Sequence, residues 1–512
     1  MASHLITTPA LICAITGVGL LQSWYRKRNK HHLPPGPRGL PIIGNVLDVS
    51  EDLEWERAFK WGEKYGPIVY TENLGIPCIY LNSYQAAVDL LDKNGLNYSS
   101  RPRNLVVELE GWTEWSPSLM PYEDELRKSR NILHRFLQPS AVGSYAEIQT
   151  QATHKLLERL LDSPDRYFDS IRQMAAEIIM LMTYGHKVSE KDDPFIKIVE
   201  QGIAAFVEAS GSYLVNVIPW LQYLPSWFPG TSFQRVACKG RKHLQNMIQT
   251  PHNMVKKTLM DSASKPCMSA QLMNENMESN GNIKDEALIA KVAGVTYSGG
   301  ADTTVSVMLT FLLAMVLHPS VQKRAQEELD RVIGRNNLPS LADRENLPYI
   351  EAVCKECLRW QPVTPLGFPH AAAEQDEYNG YTIPAGAVIY PNVWAMQRDP
   401  SMYAEPEKFI PERWMALEGT EPPPDVYKIT FGFGRRICPG RYFAINSIFI
   451  GVASILSTFN ITKALDENGN PITPKADYTP LIVRHPKPFK CSLTPRSDEI
   501  ERVVRQAAES VE

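Results

Sequence analysis

The sequence lacks several features that would assign it to a common class of protein. Its net charge is −4, so it has no basic excess of the kind that nucleic-acid-binding proteins carry, and we expect no nucleic acid among its partners. Its eight cysteines, at positions 13, 78, 238, 267, 354, 357, 438 and 491, show no framework spacing. Reduced thiols on the cytosolic side of a membrane are the simplest interpretation. No nucleotide-binding module, flavin-binding module or internal repeat stands out.

Formal charge is also missing from residues 5–25. At about 1.5 Å per helical residue, this segment is long enough to cross a bilayer core of about 30 Å. The basic cluster at residues 26–30 follows it, which is the reverse of the charge order in a cleaved signal peptide. We therefore predict a membrane anchor at residues 1–30, an N-terminal transmembrane helix that leaves the rest of the chain in the cytosol.

The remaining chain divides into three predicted parts. Prolines at 34, 35, 37 and 41 make residues 31–45 a stiff hinge, because proline cannot continue a helix. A catalytic domain should occupy residues 46–495, as one large unit or two packed lobes. It has β-like runs near 68–72 and 78–81, helical periodicity from about 123 to 358, an apolar helix ending near 458 and short strands such as 479–483. This pattern predicts a mainly α fold with a minor β lobe, followed by a charged tail at 496–512 that is either a loosely attached helix or disordered.

The stretch at residues 431–440 is a glycine-punctuated loop with one cysteine, and an apolar helix follows it. Gly434 permits a positive φ, and Pro439 suits the first position of the helix. That would place the Cys438 sulfur at the positive end of a helix dipole, which lowers a thiol pKa and favours metal binding. Arg436 could pair with a carboxylate of a flat cofactor. The alternative is a buried cysteine in an ordinary turn.

The spacing of Phe431, Gly434, Arg436, Cys438 and Gly440 resembles the heme-binding loop of the cytochromes P450, the heme-thiolate monooxygenases. The resemblance implies a cytochrome P450 fold and heme b as the cofactor. Cys438 would be the axial ligand of the heme iron, and the other four residues would help to bind the heme.

Residues 287–317 are apolar on almost all sides, which predicts a buried helix. Within it, Gly299 and Gly300 would let a ligand approach the backbone closely. The run from 298 to 304 resembles the oxygen-binding groove of the family, which implies that Asp302 and Thr303 deliver protons to bound dioxygen. The alternative is that the glycine pair separates two helices and Asp302 caps the second.

Glu356 and Arg359 are three residues apart on a predicted helix, so they face the same side. The chain has three other Glu-x-x-Arg matches, which begin at residues 54, 328 and 499. The place of Glu356 in the chain selects it, since it precedes a segment around Arg413 that resembles the family segment supplying a third partner. We expect a buried network of these three residues that fixes the core.

Two further residues are assigned to the heme propionates by resemblance. His370 matches a family position that contacts a propionate. Arg130 matches another, although the family usually has a tryptophan four residues earlier, where this chain has Leu126. One aromatic donor is therefore missing.

The resemblance also locates a substrate pocket, with residues 105–120 as its roof and residues 203–228 around its access channel. Both segments are rich in tryptophan and other apolar residues, which favours a medium or large lipophilic substrate, although such surfaces also pack internally or contact membranes. The candidate lining residues are Leu105, Trp112, Leu119, Phe206, Ala301, Val363 and Leu366.

The resemblance is closest to fungal microsomal members. It implies insertion of one oxygen atom of O2 into a lipophilic small molecule such as a terpenoid, steroid, polyketide or aromatic compound. Electrons would come from NADPH through a separate NADPH-cytochrome P450 reductase, with cytochrome b5 as an optional donor. The chain would be a single-pass protein of the endoplasmic reticulum membrane. Two alternatives remain open: a heme-thiolate isomerase or dehydratase that does not use O2, and a heme-free, membrane-anchored lipid-binding protein.

Overall fold

The computed structural model describes residues 32–48, 53–211, 213–261, 265–415 and 422–509. The predicted transmembrane helix lies outside these residues. The described chain forms two compact units. The first takes the residues up to Pro102, then Leu366–Met396 and Phe433–Arg435, and the second takes Arg103–Pro365, Gln397–Gly432 and the residues from Arg436 onwards.

Helices dominate the described residues. In chain order, the α-helices are α1 Glu54–Tyr65, α2 Tyr84–Ala87, α3 Leu105–Glu110, α4 Trp112–Trp115, α5 Asp124–Leu137, α6 Pro139–Val142, α7 Ala146–Asp162, α8 Tyr167–Tyr184, α9 Pro194–Ala209, α10 Ser232–Met260, α11 Met268–Glu275, α12 Glu286–Leu317, α13 Pro319–Val332, α14 Pro348–Trp360, α15 Val393–Met396, α16 Tyr427–Thr430, α17 Arg441–Thr458 and α18 Asp498–Glu509. The strands are β1 Ile68–Asn73, β2 Ile76–Leu81, β3 His370–Ala371, β4 Asp376–Tyr378, β5 Tyr381–Ile383, β6 Val388–Pro391, β7 Phe459–Lys463 and β8 Cys491–Pro495.

The first unit is built on a four-stranded sheet in the order β1-β2-β6-β3. β1 and β2 form an antiparallel hairpin whose turn, Leu74-Gly75, has positive φ at both residues, as tight hairpins require. β6 then joins β2 in parallel, and β3 joins β6 antiparallel. Tyr80 of β2 stacks on Tyr390 of β6 at 5.1 Å between ring centroids, which helps to hold the parallel pair.

The second unit is helical and is organised around α12. This helix begins after Asp285 and ends before Pro319, which cannot continue it. It packs against α5, α8, α10, α11, α14 and α17, so apolar residues around its whole circumference become core. β7 and β8 form a separate antiparallel pair.

Two described helices, α12 and α17, have the length and hydropathy of a membrane span. In each of them, 78% of the apolar window is buried inside the protein. Buried core helices have the same composition as membrane spans, so these two helices belong to the core described above.

Most elements agree with the sequence-based prediction, but the strand expected at 479–483 is wrong. The described backbone there is irregular and has only an isolated bridge between Tyr478 and Pro486. Leu481 and Ile482 are exposed, so apolar composition did not lead to strand pairing. The tail, for which helix and disorder were both considered, is helical over α18 and buries Ile500, Val504 and Ala508 on one face that packs on α7.

Candidate functional site

The cysteine loop is shaped by one glycine and one backbone hydrogen bond. The Cys438 N–H donates to the Phe431 carbonyl oxygen at 2.8 Å, which closes the loop. Gly434, which belongs to the first unit, has a φ of +52°, and a Cβ there would lie 2.1 Å from the Leu91 carbonyl oxygen. Any other residue would therefore be strained and would clash with backbone.

The Cys438 sulfur lies at the start of α17. Gly440 is the residue before the helix, so Pro439 does not occupy the first helical position as predicted. A hydrogen bond from the Gly440 N–H and the charges of Arg130 and Arg441 favour the thiolate, but burial outweighs them and raises the pKa of Cys438. The hydrogen bond of the loop acts in the predicted direction, but the net pKa is raised, because burial removes the hydration of the anion. A bound cation would supply the missing stabilisation.

Two guanidinium groups lie on the same loop region. Arg130 Nη2 donates to the Ile437 carbonyl oxygen at 2.8 Å, next to the cysteine in the chain. Arg436 is buried, and its two terminal nitrogens donate to the carbonyl oxygens of Pro117 and Met120 at 3.0 and 2.6 Å. Both predicted cofactor-binding arginines are thus held by main-chain carbonyls that fix the direction of the guanidinium plane.

The electrostatics of this pair favour an anionic ligand. Burial and the positive charge of Arg130 lower the pKa of Arg436 to about 9. Burial also lowers the pKa of Arg130. A carboxylate beside these groups would reverse both shifts. The donor set of one thiol and two guanidinium groups fits a heme, because Cys438 would hold its iron and the arginines would pair with its two propionates.

Leu126 stands where the family usually has tryptophan, and its side chain is packed in the core. Leu126 is 1% exposed on α5, so its side chain is part of the core. It cannot donate a hydrogen bond, and Arg130 remains as the cationic residue of that helix face.

His370 belongs to the first unit and begins β3, opposite Ile389 of β6. Its ring is buried, and Nδ1 lies 2.7 Å from the Tyr98 carbonyl oxygen. A carbonyl oxygen accepts only, so Nδ1 carries the proton of this bond. The contact fixes the ring orientation, while the propionate role stays a prediction.

The predicted oxygen-binding groove lies on an unbroken helix. α12 runs through the glycine pair without interruption, so the alternative of two helices capped by Asp302 is wrong. A Cβ on Gly300 would lie 2.7 Å from Cδ1 of Ile179 on α8, whereas a Cβ on Gly299 would meet no atom within 4 Å among the described residues. Thr303 Oγ1 donates to the Gly299 carbonyl oxygen at 2.9 Å. The open face therefore carries Gly299 and Thr303, and Gly300 serves helix packing.

Asp302 has a partner that the sequence did not reveal. His485 Nε2 lies 3.1 Å from Oδ1 and 3.2 Å from Oδ2 of the Asp302 carboxylate. The two residues are 183 positions apart, and no motif or periodicity links them.

The structure brings Glu356, Arg359 and Arg413 together in the second unit. Arg359 holds the Glu356 carboxylate with Nε and Nη2 at 2.9 and 2.8 Å, and both side chains are fully buried. Arg413 Nε reaches the same carboxylate at 3.2 Å. Two donors that the sequence did not indicate complete it, Trp414 Nε1 and the Ile410 N–H, both at 2.9 Å.

Six of the seven predicted pocket residues lie in the core of the second unit, where Leu105, Trp112, Ala301 and Val363 are buried and Leu119 and Phe206 are partly buried. Leu366 instead packs in the core of the first unit. Trp112 is central to the aromatic part, with ring centroids 5.0 Å from Phe206 and 5.2 Å from Trp115. Their packing in the core is observed, while their role as the lining of a substrate pocket stays a prediction.

Comparison with known proteins gives the same family. The cytochrome P450 family model matches residues 34–493. The chain is 40% identical over 507 residues to the cytochrome P450 monooxygenase claR of Ampulloclitocybe clavipes, covering 98% of this chain and 93% of the relative. It is 38% identical to a cytochrome P450 monooxygenase of Armillaria gallica, covering 97% of this chain and 99% of the relative. It is 39% identical to the cytochrome P450 monooxygenase ppsD of Aspergillus oryzae, covering 97% and 95%.

These matches span nearly the whole chain, and the loop, the central helix and the buried network lie inside the matched region. The heme expected from the family agrees with the donor set around Cys438. The chain belongs to the cytochrome P450 family and is a heme-dependent monooxygenase, an oxidoreductase.

Proposed function

We propose that this protein is a microsomal monooxygenase that inserts one oxygen atom of O2 into a lipophilic small molecule, of the size of a terpenoid, steroid, polyketide or aromatic compound. Heme b would be bound through Cys438, with Arg130, Arg436 and His370 at its propionates. The observation that carries the proposal is the open face of α12, where Gly299 leaves the backbone uncovered next to Thr303. A small molecule such as dioxygen can approach a helix closely only where no side chain stands in the way.

When bound, heme would supply the chemistry of oxygen activation, and Cys438 would hold its iron as a thiolate. The residues of the protein would hold the reacting molecules in position and pass protons to them. The Thr303 hydroxyl faces the open side of the helix and can pass on a proton, and the Asp302 carboxylate, one residue earlier, can take one up from solvent. These two roles require dioxygen, which argues against an isomerase or dehydratase.

The substrate class is supported by the apolar and aromatic core residues of the second unit that we propose as the pocket. Indole and phenyl rings around Trp112 and Phe206, together with Leu105, Ala301 and Val363, offer dispersion contacts to a lipophilic molecule. Glu110 is buried beside this aromatic group, and its Oε2 accepts a hydrogen bond from Trp112 Nε1 at 2.9 Å. Its Oε2 is thus held by the protein, while Oε1 is buried with no hydrogen-bond partner among the described residues.

We further propose that the protein is anchored in the endoplasmic reticulum membrane with its globule in the cytosol, where a separate NADPH-cytochrome P450 reductase can deliver electrons. Exposed apolar side chains between residues 214 and 228 support contact with a bilayer, namely Leu214, Trp220, Tyr223, Trp227 and Phe228. Aromatic side chains are favoured at membrane interfaces. Arg436 is buried and therefore unsuited to docking the reductase, whereas Arg435 is exposed.

The proposal is tested by producing the full chain with a fungal reductase and feeding it a lipophilic compound library under isotopically labelled dioxygen. We expect products that carry one labelled oxygen atom and that form only with NADPH and reductase. Product formation without either would favour the isomerase or dehydratase alternative.

A pair of cysteine variants provides the control. Cys438→Ser should remove the heme-thiolate spectrum of the reduced carbon monoxide complex and all turnover. Cys238→Ser, which changes an exposed thiol on α10, should leave both unchanged. Retention of the spectrum and of turnover in Cys438→Ser would contradict the proposal.

A further inference from the structure

One face of α12 is crossed by the irregular segment 478–485, which we call the strap. Asp302, Ser306 and Thr310 are spaced four residues apart, so they form one stripe along the helix. Each member of the stripe contacts the strap: Asp302 with His485 Nε2, Ser306 Oγ by donation to the Arg484 carbonyl oxygen, and Thr310 Oγ1 by accepting from Tyr478 OH at 3.1 Å. The strap is therefore held to the helix by side-chain contacts at three successive turns.

The strap also holds its own shape. The Thr479 N–H donates to the His485 carbonyl oxygen at 2.9 Å, and the His485 N–H donates to Thr479 Oγ1 at 3.0 Å. A bridge between Tyr478 and Pro486 closes the segment at its base. The backbone of His485 is thus fixed on both sides, and so is the point from which its imidazole reaches Asp302.

The contact between His485 and Asp302 restrains the carboxylate strongly. A carboxylate can only accept, so Nε2 is the donor, and it lies almost equally far from the two oxygens, at 3.1 and 3.2 Å. The side chains are 16% and 23% exposed, so water screens the pair only in part. The contact therefore holds the carboxylate within hydrogen-bond distance of the imidazole.

We propose that His485 is a positioning residue for Asp302, and that the strap sets where the proton-delivering carboxylate stands. This inference rests on the proposed function, since it concerns the proton supply to dioxygen. An acid contributes to catalysis only while its oxygen stays within hydrogen-bond reach of the next group in the relay. Without His485, the carboxylate can rotate away from that position.

The chemical consequence can be written as a balance. In the absence of substrate, one NADPH, one proton and one O2 give NADP⁺ and hydrogen peroxide, whereas two NADPH, two protons and one O2 give two NADP⁺ and two water molecules. Complete reduction to water needs further protons delivered before the partly reduced oxygen leaves. Poor positioning of Asp302 therefore raises the yield of peroxide per O2 consumed.

The experiment uses the full-length, heme-loaded chain with reductase and NADPH and without substrate, and it measures O2 consumption and peroxide. We expect His485→Leu to raise the peroxide yield per O2 several-fold. His485→Gln, which keeps a donor near the place of Nε2, should restore most of the wild-type ratio. Ser306→Ala removes a neighbouring contact of the same strap but leaves the His485 imidazole and its backbone bonds to Thr479 in place, so it should change the ratio much less than His485→Leu does.

A second measurement does not depend on activity. The free energy of unfolding in urea is measured for His485→Leu, Asp302→Asn and the double variant. Because the pair interacts, the losses of the two single variants should add up to more than the loss in the double variant. Additive losses, or a peroxide yield in His485→Leu equal to that of Ser306→Ala, would overturn the inference. A wild-type chain without a heme-thiolate spectrum or without NADPH-dependent O2 consumption would instead refute the proposed function, and the inference with it.

Discussion

At the residue scale, two adjacent glycines of α12 meet opposite surroundings. A methyl group on Gly300 would come too close to the side chain of Ile179, whereas a methyl group on Gly299 would meet no described atom within 4 Å. Their sequence contexts are nearly the same, so only the neighbouring helix distinguishes them. The pair therefore offers a matched test of which glycine serves packing and which serves ligand approach.

We predict that Gly300→Ala lowers the free energy of unfolding by up to about 2 kcal/mol, because overpacking against α8 costs about 1–3 kcal/mol and the gain in helix propensity offsets about 1 kcal/mol of it. Gly299→Ala should keep or raise stability but should slow oxygen-dependent turnover, because its methyl group projects into the open face. Urea unfolding and NADPH-dependent O2 consumption measure the two effects. Combining Gly300→Ala with Ile179→Ala should recover part of the loss, and no recovery would contradict the clash as its cause.

Glu110 is a second residue whose surroundings alter its chemistry. It is fully buried, and burial raises its pKa from 4.5 to about 7, although the hydrogen bond from Trp112 opposes the shift. A Cβ on Gly240 of α10 would lie 1.8 Å from Glu110 Oε1, so the helix backbone leaves that oxygen just enough room.

The raised pKa of Glu110 predicts a stability that depends on pH. The folded protein holds the proton more tightly than the unfolded chain, so its contribution to stability is complete below about pH 4.5 and is lost as the pH rises through about 7. Glu110→Gln should remove this part of the slope. The check is urea unfolding between pH 5 and 8 for wild type and variant, and equal slopes would contradict the assignment.

At the element scale, the four Glu-x-x-Arg matches show how packing selects one of several equal motifs. Glu328 caps α14 by accepting from the Tyr349 and Ile350 N–H groups. The pair that begins at Glu499 is exposed on α18. Only the pair at Glu356 is enclosed on all sides, because the segment around Arg413 and Trp414 closes over α14.

We predict that Glu356→Gln destabilises the protein by roughly 3–5 kcal/mol, because it leaves two buried guanidinium groups without their counter-charge. Glu499→Gln removes an exposed pair at the same spacing and should cost less than about 1 kcal/mol. Urea unfolding of the heme-loaded protein compares the two. Similar losses at both positions would mean that burial does not decide the strength of the pair.

At the scale of the whole molecule, the proposed topology places every catalytic element in the cytosol. We predict that deletion of residues 1–30 releases the protein from membranes into an alkaline carbonate extract, because we propose the uncharged segment at 5–25 as the anchor. Immunoblotting of pellet and supernatant is the measurement, with the full chain as the reference. Exposed apolar residues between 214 and 228 should retain a minor fraction at the membrane surface.

The side of the membrane is checked by two glycosylation sequons, at Asn97 and Asn460. A cytosolic globule leaves both bare, so treatment with a deglycosidase should not change the mobility of the full chain. The Asn97 side chain also exchanges hydrogen bonds with the Glu374 backbone at 2.8 and 3.2 Å, which a glycan would break. A mobility shift would contradict the cytosolic placement.

The sequence by itself determined what depends on local chemistry. The spacing of glycine, arginine and cysteine in residues 431–440 identified the family, the all-round apolar composition of 287–317 predicted its burial, and proline and glycine marked the element ends. Each of these signals is read within one turn or one helix, because backbone freedom and side-chain periodicity act over that range.

Only the tertiary structure decided what depends on neighbours distant in the chain. In the folded protein Asp302 contacts His485, Gly300 packs against α8, and Trp414 donates a hydrogen bond to Glu356. The segment 479–483, expected to be a strand, is part of the irregular strap. The tertiary structure also raised the pKa of Cys438 where the local motif alone predicted a lower value. Burial and desolvation arise when remote segments exclude water from the same place, and no local pattern in the sequence records which segments will meet.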